Sequence, residues 1–135
     1  MKISVSKDQE HFLSGREKIN NALKDSDVLG LDIYSDDKII GFAMLKEFGE
    51  GLWFLWDYAI DAMYQNQGYG TESLICLIQY MKDHYGMKTM TTTYIMGNDT
   101  AERMYKNIGF KETGIVDEGN IHEVNMAYDS ESRQQ

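Results

Sequence analysis

With 135 residues and a hydrophobic content of 42%, the chain can bury one core but not two. Its 13 Lys and Arg are outnumbered by 22 Asp and Glu, leaving a formal charge of -9 that repels nucleic-acid phosphates and anionic lipid headgroups, so neither is an expected partner. One cysteine, Cys76, excludes an internal disulfide, and no Cys and His cluster has zinc-site spacing, so no metal is expected.

The N-terminus lacks the basic-then-apolar pattern of a signal peptide, and no apolar run approaches the roughly 20 residues of a bilayer span, so the expected location is cytoplasmic. Lys7 to Asp25 carries Phe12, Leu13, Ile19, Ala22 and Leu23, interrupted at Ser14 and Gly15, and predicts two short, partly buried helices. Val28, Leu29, Leu31 and Ile33 predict a strand, Asp36 and Asp37 a turn, and Ile39 to Leu45 a second strand, together a hairpin. Beyond the glycine-flanked loop of Phe48 to Gly51, the run Leu52 to Ile60 (LWFLWDYAI) is almost continuously aromatic and aliphatic. That composition predicts a central strand covered on both faces.

Asp61 to Gly68 reads as loop. Tyr69 to Tyr85 then places Leu74, Leu77, Ile78 and Met81 on one helical face, and Gly86 stops the helix. Lys88 to Tyr94 is rich in β-branched residues and predicts a strand, after which Gly97, Asn98 and Asp99 turn the chain into another helix. Ala101, Met104, Tyr105 and Ile108 share a face of that helix until Gly109 ends it. Two closing strands, Lys111 to Val116 and Ile121 to Tyr128, follow across an Asp-Glu-Gly-Asn turn. The order predicts one α/β (α+β) domain over residues 1–128 and a polar tail over 129–135.

The segment Gln65-Asn66-Gln67-Gly68-Tyr69-Gly70-Thr71 lies between a buried strand and a helix start. A helix start presents unpaired N–H groups and the positive end of the dipole, and Gly68 and Gly70 let backbone close around an anion such as a pyrophosphate. The segment lacks the Gly-Lys-Ser/Thr of a nucleotide triphosphate loop and the third glycine of a dinucleotide fingerprint. Shaping a strand-to-helix turn is an equal account of the two glycines.

Two motifs in register resemble the GNAT superfamily of acetyl-CoA-dependent N-acetyltransferases. The first is Gln65-x-x-Gly68-x-Gly70 following Ile60-Asp61, and the second is Asn98-x-x-Ala101-x-x-Met104-Tyr105-x-x-x-Gly109-Phe110. The resemblance runs from about Val28 to Tyr128. Val5-Ser6-x-x-Gln9-Glu10-x-Phe12, Ile40-Gly41-Phe42-Ala43-Met44 and Ile60-Asp61-x-x-Tyr64-Gln65 look further like bacterial spermine and spermidine acetyltransferases, although Trp56-Asp57 stands where those relatives usually carry Asp-Arg.

The resemblance implies a mixed sheet, mostly antiparallel with splayed parallel central strands, flanked by about four helices. The first strand is expected to be short or missing, with only Ile3 to Val5 available for it. It also implies acetyl-CoA as co-substrate. Tyr58, Ala59 and Ile60 would pair with the pantetheine arm through main-chain groups, and Gln65, Asn66, Gln67, Gly68, Tyr69, Gly70 and Thr71 would hold the pyrophosphate. A main-chain N–H near Ala59 or Ile60 would polarise the thioester oxygen.

Tyr105 takes the superfamily's general-acid position. A phenol with a pKa of about 10 stays protonated at neutral pH, while the same spacing also suits a core aromatic. Asn98 either caps Ala101 or reaches coenzyme A. Asp57 and Glu10 are the candidates for a general base, because an amine with a pKa of about 10.4 must lose its proton before it attacks. Trp53, Trp56 and Tyr58 line an aromatic amine pocket or belong in part to the core.

Cys76 is expected to be a buried small hydrophobe, His11, His84 and His122 to be exposed, and the methionines to fill the core. The implied reaction is direct transfer of acetyl to a primary amine of a small molecule, a polyamine among the options, in a ternary complex; a homodimer is also implied. A non-catalytic acyl-CoA sensor and a protein or peptide N-acetyltransferase are the alternatives.

Overall fold

The computed structural model describes residues 2–7, 28–65 and 67–130. Within them, β1 (Ile3–Lys7), β2 (Val28–Ser35), β3 (Lys38–Gly49), β4 (Leu52–Ile60), β5 (Thr89–Ile95), β6 (Lys111–Glu118) and β7 (Ile121–Asp129) form one sheet in the order β1-β2-β3-β4-β5-β7-β6. Every neighbouring pair is antiparallel except β4 and β5, which run parallel because α1 (Tyr69–Tyr85) carries the chain across between them. A second helix, α2 (Asp99–Ile108), links β5 to β6.

The first strand is short, not missing: all five residues of β1 pair with β2. Ile3 and Val5 pack against the core, and α1 contacts β1 on that face. The helices expected before β2 fall on residues outside the described ones.

The main core lies on the face that carries α1 and α2. Leu74, Leu77, Ile78 and Met81 from α1, with Tyr105 and Ile108 from α2, meet Leu31, Ile33, Ala43, Leu45, Met90 and Met126 from the sheet. Each fully buried Leu or Ile contributes roughly 1.5–3 kcal/mol, so the spacing that makes α1 amphipathic also fixes it on the sheet. Gly86 closes α1 in a left-handed conformation, and its N–H returns to Met81 O. Phe42 and Met44 alternate with Ala43 and Leu45 along β3 and are buried on the opposite face. Among the described residues no helix is long and apolar enough to cross a membrane.

One sequence expectation is corrected in β4, which is not covered on both faces throughout. Trp53 and Leu55 are buried, whereas Trp56 is 42% exposed. The cause is a register shift: Leu45 of β3 pairs with Leu55 but Met44 pairs with Asp57, leaving Trp56 as an extra, bulged residue.

Candidate functional site

The site begins where two parallel strands part. β4 and β5 pair over only three residues, Leu52 with Thr89, Trp53 with Met90 and Phe54 with Thr91, after which β4 continues to Ile60 on the β3 side alone. The next rung is made by a side chain: the Thr92 hydroxyl donates to Leu55 O at 3.3 Å. Beyond it the two backbones diverge, and the β5-facing groups of β4 are left without a strand partner.

The bulge at Trp56 sits at the mouth of this opening and changes which residues face the helices. Side chains alternate along a strand, so one inserted residue reverses the parity. Trp53 and Leu55 point to the helix face before the bulge, and Tyr58 and Ile60 join them after it, packed against the same core. Asp57 and Ala59 consequently face the other side, paired with Met44 and Phe42. Gly41 lets the end of β4 lie close: a Cβ there would stand 2.7 Å from Ala59 O.

The second part of the site is the loop into α1. Asp61 accepts from Met63 N at 3.0 Å and starts a short 3-10 turn over Ala62–Tyr64. The Gln65 amide donates to Ile60 O at 2.8 Å and the Gln67 amide to Met63 O at 3.2 Å, so both side chains tie the loop to itself and to the end of β4. Gly68 is the N-cap of α1 with φ +87, a left-handed conformation suited to glycine, and it provides no side-chain cap. Among the described residues no side chain caps the first-turn N–H groups of Tyr69, Gly70 and Thr71, which precede the first intrahelical bond, from Glu72 N to Gly68 O. Their positive end of the helix dipole lies beside the open part of β4. Asn66 lies outside the described residues.

Two phenols meet behind the opening. Tyr58 donates from its hydroxyl to Gly70 O at 2.6 Å, joining β4 to the first turn of α1. Burial, and then the nearby Tyr105 phenol, push its pKa well above the ordinary phenol range, with the Ser73 hydroxyl opposing the rise. Tyr105 enters from α2 with its ring stacked on Tyr94 at 6.2 Å and tilted against Phe110 at 5.1 Å. Burial raises its pKa too, partly offset by the Thr92 hydroxyl it meets. The two accounts of Tyr105 left open by the sequence are thus compatible, because the ring belongs to the core while the hydroxyl reaches the apex of the splay.

The other residues singled out from the sequence divide clearly. Asn98 caps α2, its Oδ1 accepting from Ala101 N at 3.1 Å. Asp57 stands on the face opposite Tyr58, half-buried, and Glu10 lies outside the described residues. Trp53 is core, packed edge-on against Tyr85 at 5.5 Å, so an aromatic pocket shared by Trp53, Trp56 and Tyr58 is not formed. Cys76 is only half-buried, its thiol facing Ile3 O of β1 at 3.6 Å instead of lying deep in the core. Met44, Met81, Met87, Met90 and Met126 fill the core as expected, but Met63 is 76% exposed. His84 and His122 are exposed, and His122 pairs with Asp117.

Sequence reasoning missed two contributors, Thr92 and Gly41, and gave the Tyr58 side chain to an aromatic pocket or the core without its bond to Gly70 O. Thr92 had a signal, being the polar member of the otherwise apolar alternation Met90, Thr92, Tyr94. Gly41 had one as well, a glycine inside a strand.

Comparison with known proteins agrees with this geometry. The sequence model described as the acetyltransferase (GNAT) family matches residues 4–110. The chain is 32% identical over 92 residues to the spermine/spermidine N(1)-acetyltransferase of Bacillus subtilis strain 168, a match spanning 63% of this chain and 60% of that protein. In three dimensions it resembles a spermidine N-acetyltransferase from Vibrio cholerae in complex with CoA and spermine, with a TM-score of 0.80, 14% identity, and coverage of 98% of either chain. It also resembles a GNAT family acetyltransferase from Elizabethkingia anophelis with acetyl-CoA bound, with a TM-score of 0.75, 16% identity, and coverage of 94% of this chain and 97% of that one.

Proposed function

The chain belongs to the GNAT acetyltransferase family, and from that membership we propose that it transfers acetyl from acetyl-CoA to a primary amine of a small molecule, with polyamines as the first substrates to test. The observation that carries this reading is the splay itself: a parallel pair that stops at Phe54 and Thr91, with no strand on the β5 side of β4 beyond it and, among the described residues, no side-chain cap on the helix start alongside.

The residues present fit the cofactor. An extended chain with amide groups, such as pantetheine, pairs with an exposed strand as an added strand would, and Tyr58 to Ile60 offer that backbone. A diphosphate suits the first-turn N–H groups of Tyr69 to Thr71, where the helix dipole favours negative charge. When bound, acetyl-CoA supplies an acetyl group activated as a thioester.

The chain's own groups divide the remaining work. Main-chain N–H groups of β4 near Ala59 and Ile60 are fixed donors for a polarised carbonyl oxygen, and they need no reorganisation to act. Tyr105 holds a proton at the apex, and its raised pKa keeps that proton in place at neutral pH and above. Asp57 is on the face of β4 opposite the Tyr58 side chain, so an amine approaching from that face would meet a carboxylate that attracts its cationic form and takes its proton through water. The formal charge of -9 draws cationic amines toward the protein, polyamines most strongly. A cytosolic setting accords with the lone Cys76 thiol, and assembly as a pair belongs to the same reading.

Thiol release tests the proposal. Incubation of the chain with acetyl-CoA and a panel of spermine, spermidine, simple alkylamines and peptides is expected to release free thiol fastest with the polyamines. Release with peptides alone would favour protein acetylation, and release with no amine would contradict the proposal.

A further inference from the structure

We infer that Tyr58 is a positioning residue, a clamp whose side chain holds the start of α1 against β4 so that two surfaces gripping one extended cofactor keep a fixed separation. The inference rests on the acetyl-CoA reading above and extends it, because there β4 holds the cofactor through main-chain groups only.

Three observations converge on it. The bulge at Trp56 turns Tyr58 toward α1, whereas an uninterrupted strand would have sent its ring to the opposite face. The phenol then donates to Gly70 O at 2.6 Å, and that carbonyl belongs to the same first turn whose N–H groups point outward. The bond is part-buried, with the wholly buried Ser73 and the Tyr105 phenol both close enough to act on the Tyr58 hydroxyl.

The location makes this contact matter. Gly68, the residue before α1, has nothing within 4 Å of where its Cβ would be, so among the described residues no packed neighbour braces that side of it. Gln65 ties the loop to Ile60 O from the strand side, but that bond lies before the helix begins. Within the first turn itself, the bond from Tyr58 to Gly70 O crosses from helix to strand. A carbonyl has two lone pairs, so Gly70 O accepts this bond in addition to the helical one from Leu74. Tyr58 therefore fixes the height and tilt of the helix end relative to the strand without breaking the helix.

Tyr58→Phe removes the hydroxyl and keeps the ring. Two measurements separate the clamp from its service to the cofactor. Amide hydrogen exchange in the free protein is expected to quicken at Glu72, Ser73 and Leu74, with the second half of α1 unchanged. Calorimetry is expected to show coenzyme A binding weakened roughly 5- to 10-fold, the size of one lost hydrogen bond. The KM for acetyl-CoA should rise with it, while kcat and the KM for the amine stay near their original values.

Unchanged exchange at Glu72 to Leu74 would overturn the clamp. Quickened exchange with undiminished coenzyme A binding would overturn its role in holding the cofactor and leave the acetyltransferase reading standing. Failure of the unaltered chain to bind coenzyme A would overturn both. A lower melting temperature in Tyr58→Phe with the same affinity and KM marks a purely structural phenol and counts against the inference.

Discussion

Thr92 donates its hydroxyl proton to the carbonyl of Leu55 at 3.3 Å, one residue past the last backbone rung between the two parallel strands. A side-chain bond thus closes the apex of the opening. The same hydroxyl meets the Tyr105 phenol, so one buried threonine both sets where the strands part and supports the proposed acid.

Thr92→Val preserves shape and removes this bond. The Leu55 carbonyl then loses its partner in a buried place, and a stability loss of about 1–2 kcal/mol is expected in urea unfolding. Turnover should fall by about tenfold, equal to roughly 1.4 kcal/mol of lost support for Tyr105, while the KM for acetyl-CoA changes little. Equal turnover in the variant would show that the apex does not depend on Thr92.

Tyr105→Phe deletes the proposed proton donor and leaves the ring stacked on Tyr94 and tilted against Phe110. A fall in kcat of about 100-fold or more is expected, with coenzyme A affinity kept by calorimetry. Its raised pKa also fixes a sign: the acid form is the active one, so ionisation of Tyr105 depresses kcat only above the ordinary phenol pKa of about 10. A Tyr105-dependent loss of kcat near neutral pH would contradict the assignment.

The two phenols also contribute to alkaline stability, together with Tyr85 and Tyr94, whose pKa values burial raises as well. Both Tyr58 and Tyr105 have raised pKa values in the folded chain, so the folded state keeps protons that the unfolded chain releases above about pH 10. Their contribution is complete below that pH and is lost as the pH climbs toward the folded values. Urea midpoints taken from about pH 8 to about pH 11 should be flat and then drop, and the drop should be shallower in the double variant Tyr58→Phe, Tyr105→Phe.

Two glycines separate backbone strain from crowding. Gly68→Ala adds a methyl group with no neighbour within 4 Å, but at φ +87. Its cost is conformational, about 1–2 kcal/mol, and it should weaken coenzyme A binding by moving the helix start. Gly41→Ala instead drives a Cβ to within 2.7 Å of Ala59 O and 2.8 Å of the Ile60 Cδ1. Here an overpacking cost of about 1–3 kcal/mol and a displaced end of β4 are expected, read as a lower urea midpoint and a higher KM for acetyl-CoA.

Much of this architecture was legible in the sequence because its signals are periodic or punctuated. Leu74, Leu77, Ile78 and Met81 marked α1, Gly86 and Gly109 marked helix ends, and the Asn98 cap lay where its spacing to Ala101 put it. The interior of β4 was not legible. In LWFLWDYAI nearly every residue is apolar, so no alternation exists whose interruption would reveal a bulge at Trp56. Without the bulge, Tyr58 and Asp57 cannot be assigned to faces, and the bond from Tyr58 to Gly70 O is invisible. Thr92 was legible only in part: alternation with Met90 and Tyr94 puts it on the inner face, but its bond to Leu55 O depends on where the pairing of β4 and β5 ends.

The most direct test of the account is a crystal structure of the chain soaked with coenzyme A. The account predicts pantetheine lying along Tyr58 to Ile60 beyond Phe54, the diphosphate against the N–H groups of Tyr69 to Thr71, and the sulfur beside the Tyr105 hydroxyl. Coenzyme A bound on another face, or an opening between β4 and β5 that stays empty at saturating concentration, would contradict it.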